Sequence, residues 1–359
     1  MLPKPSPLDP IPLTLAPKPL PLDPITYNNW DELVRTFPGY SFFHSVAWSK
    51  VLSESYNYTP ACFVSNVENN LALIPMMDVK SAITGRRGVS LPFTDYCEPI
   101  ITGSIKFQDI LDRIIQYGKR VNWKFIEFRG GEKFFPGVLS SSRFLGHHLD
   151  ISREENEIYS AIKDTFKRNI KKAYANGVSV QFLDTKEAVK EFYRLNCITR
   201  KRHGLPPQPY RFFRKVYEHI ISKDQGVVAL ASHAGKFIAG AIFFHFGEKA
   251  LYKYGASDME YQNLRPNNLV MWEAVRWYRE RGFKSLSLGR TEIENHGLRQ
   301  FKLALGAEEY PIVYYRYDLK SGSFVKEPEK VSAFQTNILN KLPVFMLKII
   351  GNVYYRHAG

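Results

Sequence analysis

No stretch of this 359-residue chain is apolar for long enough to span a membrane as a helix. The longest runs, such as residues 237–246, stop far short of the roughly 20 residues such a helix needs. The first residues lack a basic region followed by an apolar core, so no secretory signal is expected. Cysteine is scarce: Cys62, Cys97 and Cys197 are an odd, scattered set, which argues against a disulfide framework and fits a reducing cytoplasm. The nine histidines are dispersed, and there is no His-Glu-x-x-His or Cys-x-x-Cys element, so no metal site is expected. A Walker-type loop and the glycine pattern of a dinucleotide site are also missing, and no resident cofactor is expected. What is present is ordinary for a globular protein: 44% hydrophobic and 23% charged residues exclude a wholly disordered or fibrous chain. The length suggests two domains.

Acidic residues are in deficit, giving a net charge of +14 that predicts an anionic partner: nucleic acid, a membrane surface or a phosphate-bearing substrate. The surplus is localised. Residues 163–176 carry five basic residues and one acid, and residues 194–215 carry seven basic residues and no acid, so these two stretches hold 11 of the 14 surplus charges. Leading into and through the first stretch, Ile158, Ile162, Phe166 and Ile170 recur every four residues, the apolar stripe of an amphipathic helix, with Lys163, Lys167, Arg168, Lys171 and Lys172 outside it. A solvated helix face would carry the same pattern. An acid-free run of 22 residues is harder to reconcile with self-repulsion unless an anion is expected there.

Residues 1–24 contain nine prolines and a near-repeat, PKPSPLDPI and PKPLPLDPI, and predict an extended, disordered leader. From there the pattern predicts helices at 31–37, 46–56 and 107–121, and strands at 61–67, 71–79, 88–93 and 124–128. The second half repeats the order: a hairpin of 226–232 with 236–246, a strand at 250–256, a helix at 268–280 and a strand at 284–288. The two helix–strand units end in WKFIEFRGG and FKSLSLGRT, 160 residues apart. The expectation is an internal duplication in an α/β (α+β) chain: one domain over 25–153, a second over 154–320 opened by a bridging helix at 154–176, and a tail over 321–359. Three antiparallel strands, a long helix and a strand beside the third is the core order of the GCN5-related acyltransferase (GNAT) fold.

Several phrases then become informative. FFHSVAWSKVL (42–52), ALIPMMDVKS (72–81), SLPFTDY (90–96) and FKRNIKKAYANGVSV (166–180), followed by ITRKRHGLPPQPYRFF (198–213), LSLGRTE (286–292) and GLRQFKLALGAE (297–308), resemble FemAB-like proteins in content and order. The resemblance covers residues 25–319 and lies nearest the branch associated with exopolysaccharide export. It implies tandem GNAT-like domains, each a mixed, mostly antiparallel sheet flanked by helices. It also implies transfer of an acyl or aminoacyl group to an amine of a cell-envelope precursor. There are departures. No coiled-coil arm is visible, His44 stands where the family often has Gln, and the turn at 263–268 (NLRPNN) has no glycine. Close approach of a pyrophosphate to bare backbone needs glycine or something equally small, which counts against acyl-CoA as donor and leaves aminoacyl-tRNA beside it.

Amide formation needs a neutral amine, a stabilised tetrahedral oxyanion and aligned reactants. By resemblance, Lys302 is the lysine that stabilises the reacting carbonyl; a surface helix lysine is the alternative. Arg290, after Gly289 at the end of a buried-looking strand, suits a phosphate or carboxylate through its planar fork. An ion pair with Glu292 or Glu294 competes with that role. Arg168, Arg200 and Arg202 are candidates for phosphate contact. Trp48 and Lys50 lie on the helix that resembles the family's acceptor side, Trp48 with the core as its alternative. Tyr254 is a candidate for binding substrate backbone, and Asp95 and Tyr96 for acid–base work. The tail from Val331, with Leu339, Leu342, Val344, Phe345, Leu347, Ile349 and Ile350 between lysines, resembles an interfacial segment for anionic lipid, or one that packs on the domain.

The expectation is therefore a cytoplasmic, membrane-peripheral enzyme that acts on an anionic glycan or a lipid-linked precursor. Its rivals are a GNAT-type acyl-CoA N-acyltransferase of exopolysaccharide synthesis and a non-catalytic binder of anionic lipid or RNA.

Overall fold

The computed structural model describes residues 21–67, 70–326 and 339–359. Most of the proline-rich leader and residues 327–338 of the tail lie outside them. The end of the leader is not free: Pro21–Leu22 pairs antiparallel with Cys62–Val67. Proline is tolerated there because this is the edge of a sheet.

The dominant element is a 12-stranded sheet. Along it run Ser179–Leu183, Gly226–His233, Lys236–Phe246, Lys249–Ser257, Ser285–Thr291, Ser142–Asp150, Glu308–Asp318, Phe125–Arg129, Gly85–Val89, Met77–Ser81 and Thr59–Pro60, with Ser323–Val325 branching off Glu308–Asp318. A smaller four-stranded sheet holds Pro21–Leu22, Cys62–Val67, Asn70–Ile74 and Ile100–Ile101. Two strands cross between the halves of the chain. Ser142–Asp150 sits between Ser285–Thr291 and Glu308–Asp318, and Glu308–Asp318 in turn pairs with Phe125–Arg129. The halves are therefore joined through one continuous hydrogen-bond ladder.

Helices follow the apolar periods. Phe107–Arg120 buries Phe107, Ile110, Leu111 and Ile114, as the spacing predicts, and Val46–Tyr56 spans the expected residues. The expected bridging helix differs. It is two helices, Glu155–Ala161 and Asp164–Ala175, broken where Ile162 and Lys163 turn to extended backbone. The break buries Ile162 and lets the Lys163 N–H donate to the Ala304 carbonyl at 3.0 Å, a bond no continuous helix could make.

The halves also share a core. Trp48 has no exposed surface, and its ring lies 5.4 Å from Phe43, 6.1 Å from Phe212 and 5.9 Å from Phe244. Phe43 and Trp48 come from the first half, Phe212 and Phe244 from the second. Across this seam lies the C-terminal helix Val344–Ala358, which buries Leu347, Gly351 and Tyr355. Arg200 Nη2 donates to the Tyr355 hydroxyl at 2.6 Å on the second half. On the first half Arg87 donates to the His357 carbonyl at 2.8 Å, and the Tyr58 hydroxyl to the Tyr355 carbonyl at 3.1 Å. The tail thus packs on the protein with one face while Phe345, Ile349 and Val353 stay exposed. All three cysteines are free and buried, and among the described residues no helix is long and apolar enough to cross a membrane.

Because Trp48 is packed by rings of both halves, Trp48→Ala is expected to cost about 3–5 kcal/mol. The protein should still unfold in a single transition. Urea unfolding followed by fluorescence and circular dichroism checks this; a loss under about 1 kcal/mol would contradict the shared core.

Candidate active site

The site begins where a ladder ends. Lys249–Ser257 and Ser285–Thr291 run parallel and pair at Lys249–Ser285, Ala250–Leu286 and Leu251–Ser287 only; beyond that they diverge. Irregularities on both strands accompany the divergence. Lys253 is the extra residue of a bulge between the pairs Ile242–Tyr254 and Phe243–Tyr252. On the other strand the register against Ser142–Asp150 shifts between Ser287 and Arg290, where Gly289 takes a left-handed φ of 69°. Bulges bend a strand and re-aim its side chains. Here they open a wedge holding a cavity of about 400 Å³, lined among others by Asp95, Arg202, Tyr252, Lys253, Asn267, Gly289, Arg290 and Lys302.

Lys302, on helix His296–Ala304, is 2% exposed. Its Nζ donates to the Gly289 and Arg290 carbonyls, both at 3.1 Å, and to Thr291 Oγ1 at 2.9 Å. Burial lowers its ammonium from the usual lysine range to about 8, opposed by the Asp95 charge. Behind it lies a polar file. Thr291 Oγ1 is 3.5 Å from His147 Nδ1, His147 Nε2 is 3.2 Å from Glu309, and Glu309 accepts two bonds from Arg299, at 2.7 and 2.8 Å.

Lys253 faces Lys302 across the wedge. Its Nζ donates to the Phe93 carbonyl at 2.8 Å and to Asp95 Oδ2 at 3.2 Å, and stands 5.0 Å over the Phe43 ring. Burial pushes this ammonium down while Asp95 opposes. Asp95 comes from the first half of the chain and reaches the wedge because Gly289 has no side chain; a Cβ there would lie 3.3 Å from Asp95 Oδ2. Arg290 crosses between two cavities. Its Nη1 donates to the Tyr314 hydroxyl at 2.8 Å, its guanidinium lies 4.2 Å from the Phe144 ring centre, and Glu292 is 3.9 Å away.

Four of the residues singled out in the sequence thus meet: Lys302, Arg290, Asp95 and Arg202. The others lie elsewhere. Trp48 is core, the alternative left open above. Lys50 is half-buried and acts on Asp31. Arg168 is exposed on Asp164–Ala175, away from the cavity. Arg200 holds the C-terminal helix. Tyr254 faces aromatic core at Phe213, 5.5 Å away, because the Lys253 bulge shifts the alternation of its strand and leaves Tyr252, Lys253 and Gly255 on the cavity. Tyr96 lines a smaller cavity of about 210 Å³ beside Tyr40 and Lys249.

Lys253 and His147 were not singled out in the sequence. The signal for Lys253 was a cation in the middle of the expected strand at 250–256; His147 left none. The turn without glycine is also realised: Arg265 takes a left-handed φ of 59°, where glycine would be at ease, just before helix Pro266–Glu280. Glu54, Glu218 and His219 cluster within 4.8 Å, but Lys215 Nζ lies 2.6 Å from both carboxylates, so an ammonium already supplies the positive charge.

Gly289→Ala would force a Cβ into the left-handed region, for about 1–2 kcal/mol of destabilisation. An unchanged urea midpoint would show that the bulge tolerates a side chain and relaxes.

A family model described as the acetyltransferase (GNAT) domain matches residues 160–310. The chain is 33% identical over 99 residues to the lipid II:glycine glycyltransferase of Staphylococcus haemolyticus (strain JCSC1435), covering 26% of this chain and 24% of that protein. It is 24% identical over 129 residues to the UDP-N-acetylmuramoylpentapeptide-lysine N(6)-alanyltransferase of Weissella viridescens, covering 36% and 38%. The match therefore spans about a quarter to two fifths of these relatives' lengths. Among solved structures, FemX superposes with a TM-score of 0.63 at 12% identity over 79% of this chain and 94% of that one. A tandem GNAT protein from the clavulanic acid pathway gives 0.53 at 11% identity over 87% and 99%. The chain is thus similar to FemAB-type transferases in short sequence segments, carries a GNAT domain and shares its fold with FemX and a tandem GNAT protein.

Proposed function

We propose that the protein is an acyl- or aminoacyltransferase that forms an amide bond on a cell-envelope precursor of peptidoglycan or exopolysaccharide. The observation that carries this reading is the meeting of Lys302, Arg290 and the Lys253–Asp95 pair in one open wedge. The names of the staphylococcal and Weissella relatives supply the reaction class. In this reading residues 25–153 and 154–320 are the two duplicated units, and the wedge belongs to the second. The donor is aminoacyl-tRNA, with acyl-CoA as the alternative that the Arg265 turn disfavours. The basic stretches 163–176 and 194–215 suit either polyanion, and the C-terminal tail brings the enzyme to the inner leaflet where a lipid-linked precursor resides.

The chemistry follows from charge placement. The neutral acceptor amine attacks the donor carbonyl, and the carbonyl oxygen takes the negative charge. The C–O bond to the tRNA ribose then breaks as the amide forms. Lys302 exchanges one of its three acceptors for that oxyanion. Arg290 holds a phosphate or carboxylate of the acceptor. Asp95, the one carboxylate among the lining residues, takes the amine proton and passes it to the leaving ribose oxygen.

Removing an oxyanion donor typically costs about 3–4 kcal/mol, so Lys302→Met should lower turnover roughly 10²–10³-fold in a transfer assay with envelope precursors. Full activity in both Lys302→Ala and Arg290→Ala would reject this site.

The pH profile is a separate check. Lys302 is charged below about 8 and neutral above, so activity should fall as pH rises through about 8. That descending limb should vanish in Lys302→Met while the rising limb of the acceptor amine persists. A limb retained in the variant would assign it to another group.

A further inference from the structure

A second concavity lies away from the wedge. Helix Lys186–Arg202, helix Tyr210–His219 and the C-terminal helix enclose two adjoining cavities of about 540 and 570 Å³, which share Lys190, Tyr193 and Lys348 and so form one groove. Its walls are mostly apolar, with Tyr193, Cys197, Ile198 and Val344 contributing. Its rim is basic: Lys190, Arg211 and Lys348 border it, and Lys348 Nζ stands 5.3 Å over the Tyr193 ring. Glu187 and Glu191 also border it, Glu191 being paired with Arg194 at 2.7 Å. Beside the groove the C-terminal helix exposes Phe345 (64%), Ile349 (60%) and Val353 (57%), and residues 339–359 contain no acidic residue.

Helix Lys186–Arg202 lines both the groove and the wedge, on a ridge that winds about 120° around its axis between Lys190 and Arg202. Lys190, Arg194, Ile198 and Arg202 recur every four residues; the first three line the groove and the last lines the wedge cavity. At 1.5 Å per residue the two ends are about 18 Å apart.

We propose that this groove binds the hydrocarbon chain of the acceptor, a single-chain lipid phosphate, with its phosphate against Lys190 and Lys348 and its polar end directed along helix Lys186–Arg202 into the wedge. The apolar walls suit the chain, the cationic rim suits the phosphate, and the helix shared with the wedge favours the acceptor over a structural bilayer lipid. The proposal rests on the transferase reading for the identity of the ligand, but its binding test does not.

The test uses the full chain, with dodecyl phosphate below its micelle concentration as probe and butyl phosphate as the head-group control. Calorimetry should give saturable dodecyl phosphate binding at least tenfold tighter than butyl phosphate. Binding should weaken at least tenfold in K190E/K348E, whose lysines are exposed, and stay unchanged in K302M. Equal affinity for the two phosphates, or undiminished binding in K190E/K348E, would overturn the groove. So would binding to phosphatidylglycerol vesicles without binding to dodecyl phosphate, which would make this face a bilayer dock. In the transfer assay K190E/K348E should raise KM for a lipid-linked acceptor at least fivefold more than KM for its nucleotide-linked counterpart. Absence of turnover with both acceptors in the unaltered protein, with dodecyl phosphate still bound, would reject the transferase reading and leave the groove standing.

Discussion

Everything chemical in this protein depends on a failure of pairing. Two parallel strands are hydrogen-bonded over three residue pairs and then separate, and the space between them is the proposed site. Unpaired backbone polar groups are costly when buried, so such a gap persists only if other groups satisfy it. Lys302 does this for one wall by capping the Gly289 and Arg290 carbonyls, and Lys253 ties the opposite wall to the Phe93 carbonyl. The cations that hold the wedge open are also the charges that a substrate would meet at the proposed site. Their burial lowers both ammonium groups, while Asp95 works against that shift in each.

The first half of the chain contributes to this wedge as well. Asp95 stands after a turn whose backbone carries two left-handed residues, Leu91 and Phe93, and that turn sits against the shared aromatic seam. Removing the first half would strip the wedge of its carboxylate and of the Phe93 carbonyl that Lys253 needs. The halves are duplicated in pattern but not in role: one frames the cavity, the other supplies the charge that faces it.

Much of the fold was legible because amphipathic periods are local. Residues 46–56 and 107–121 showed their helices, and the hairpin of 226–246 showed its turn. The strand exchange was not legible, because pairing between residues 135 to 193 positions apart leaves no mark on either segment's own period. The break at Ile162 was hidden for a related reason: it serves a bond to Ala304, not a local preference. Of the residues that line the wedge, Lys302 was singled out through resemblance, and Arg290 and Asp95 through their places after strands. Arg168 and Arg200 lie away from the wedge because a run of basic residues gives the amount of charge but not the side of the helix it occupies. Lys253 escaped because bulges are invisible to strict alternation.

The crossing of Glu308–Asp318 into the first half has a consequence during synthesis. Phe125–Arg129 and Ser142–Asp150 leave the ribosome long before the strand that separates them exists. Until residue 318 has emerged, both carry open edges with unpaired N–H and C=O groups, the kind of edge that pairs with another chain. At roughly 5–20 residues per second that exposure lasts on the order of ten seconds or more. A nascent chain built this way depends on protection during that interval, so yields should respond to translation speed and chaperone supply more than to the stability of the finished protein.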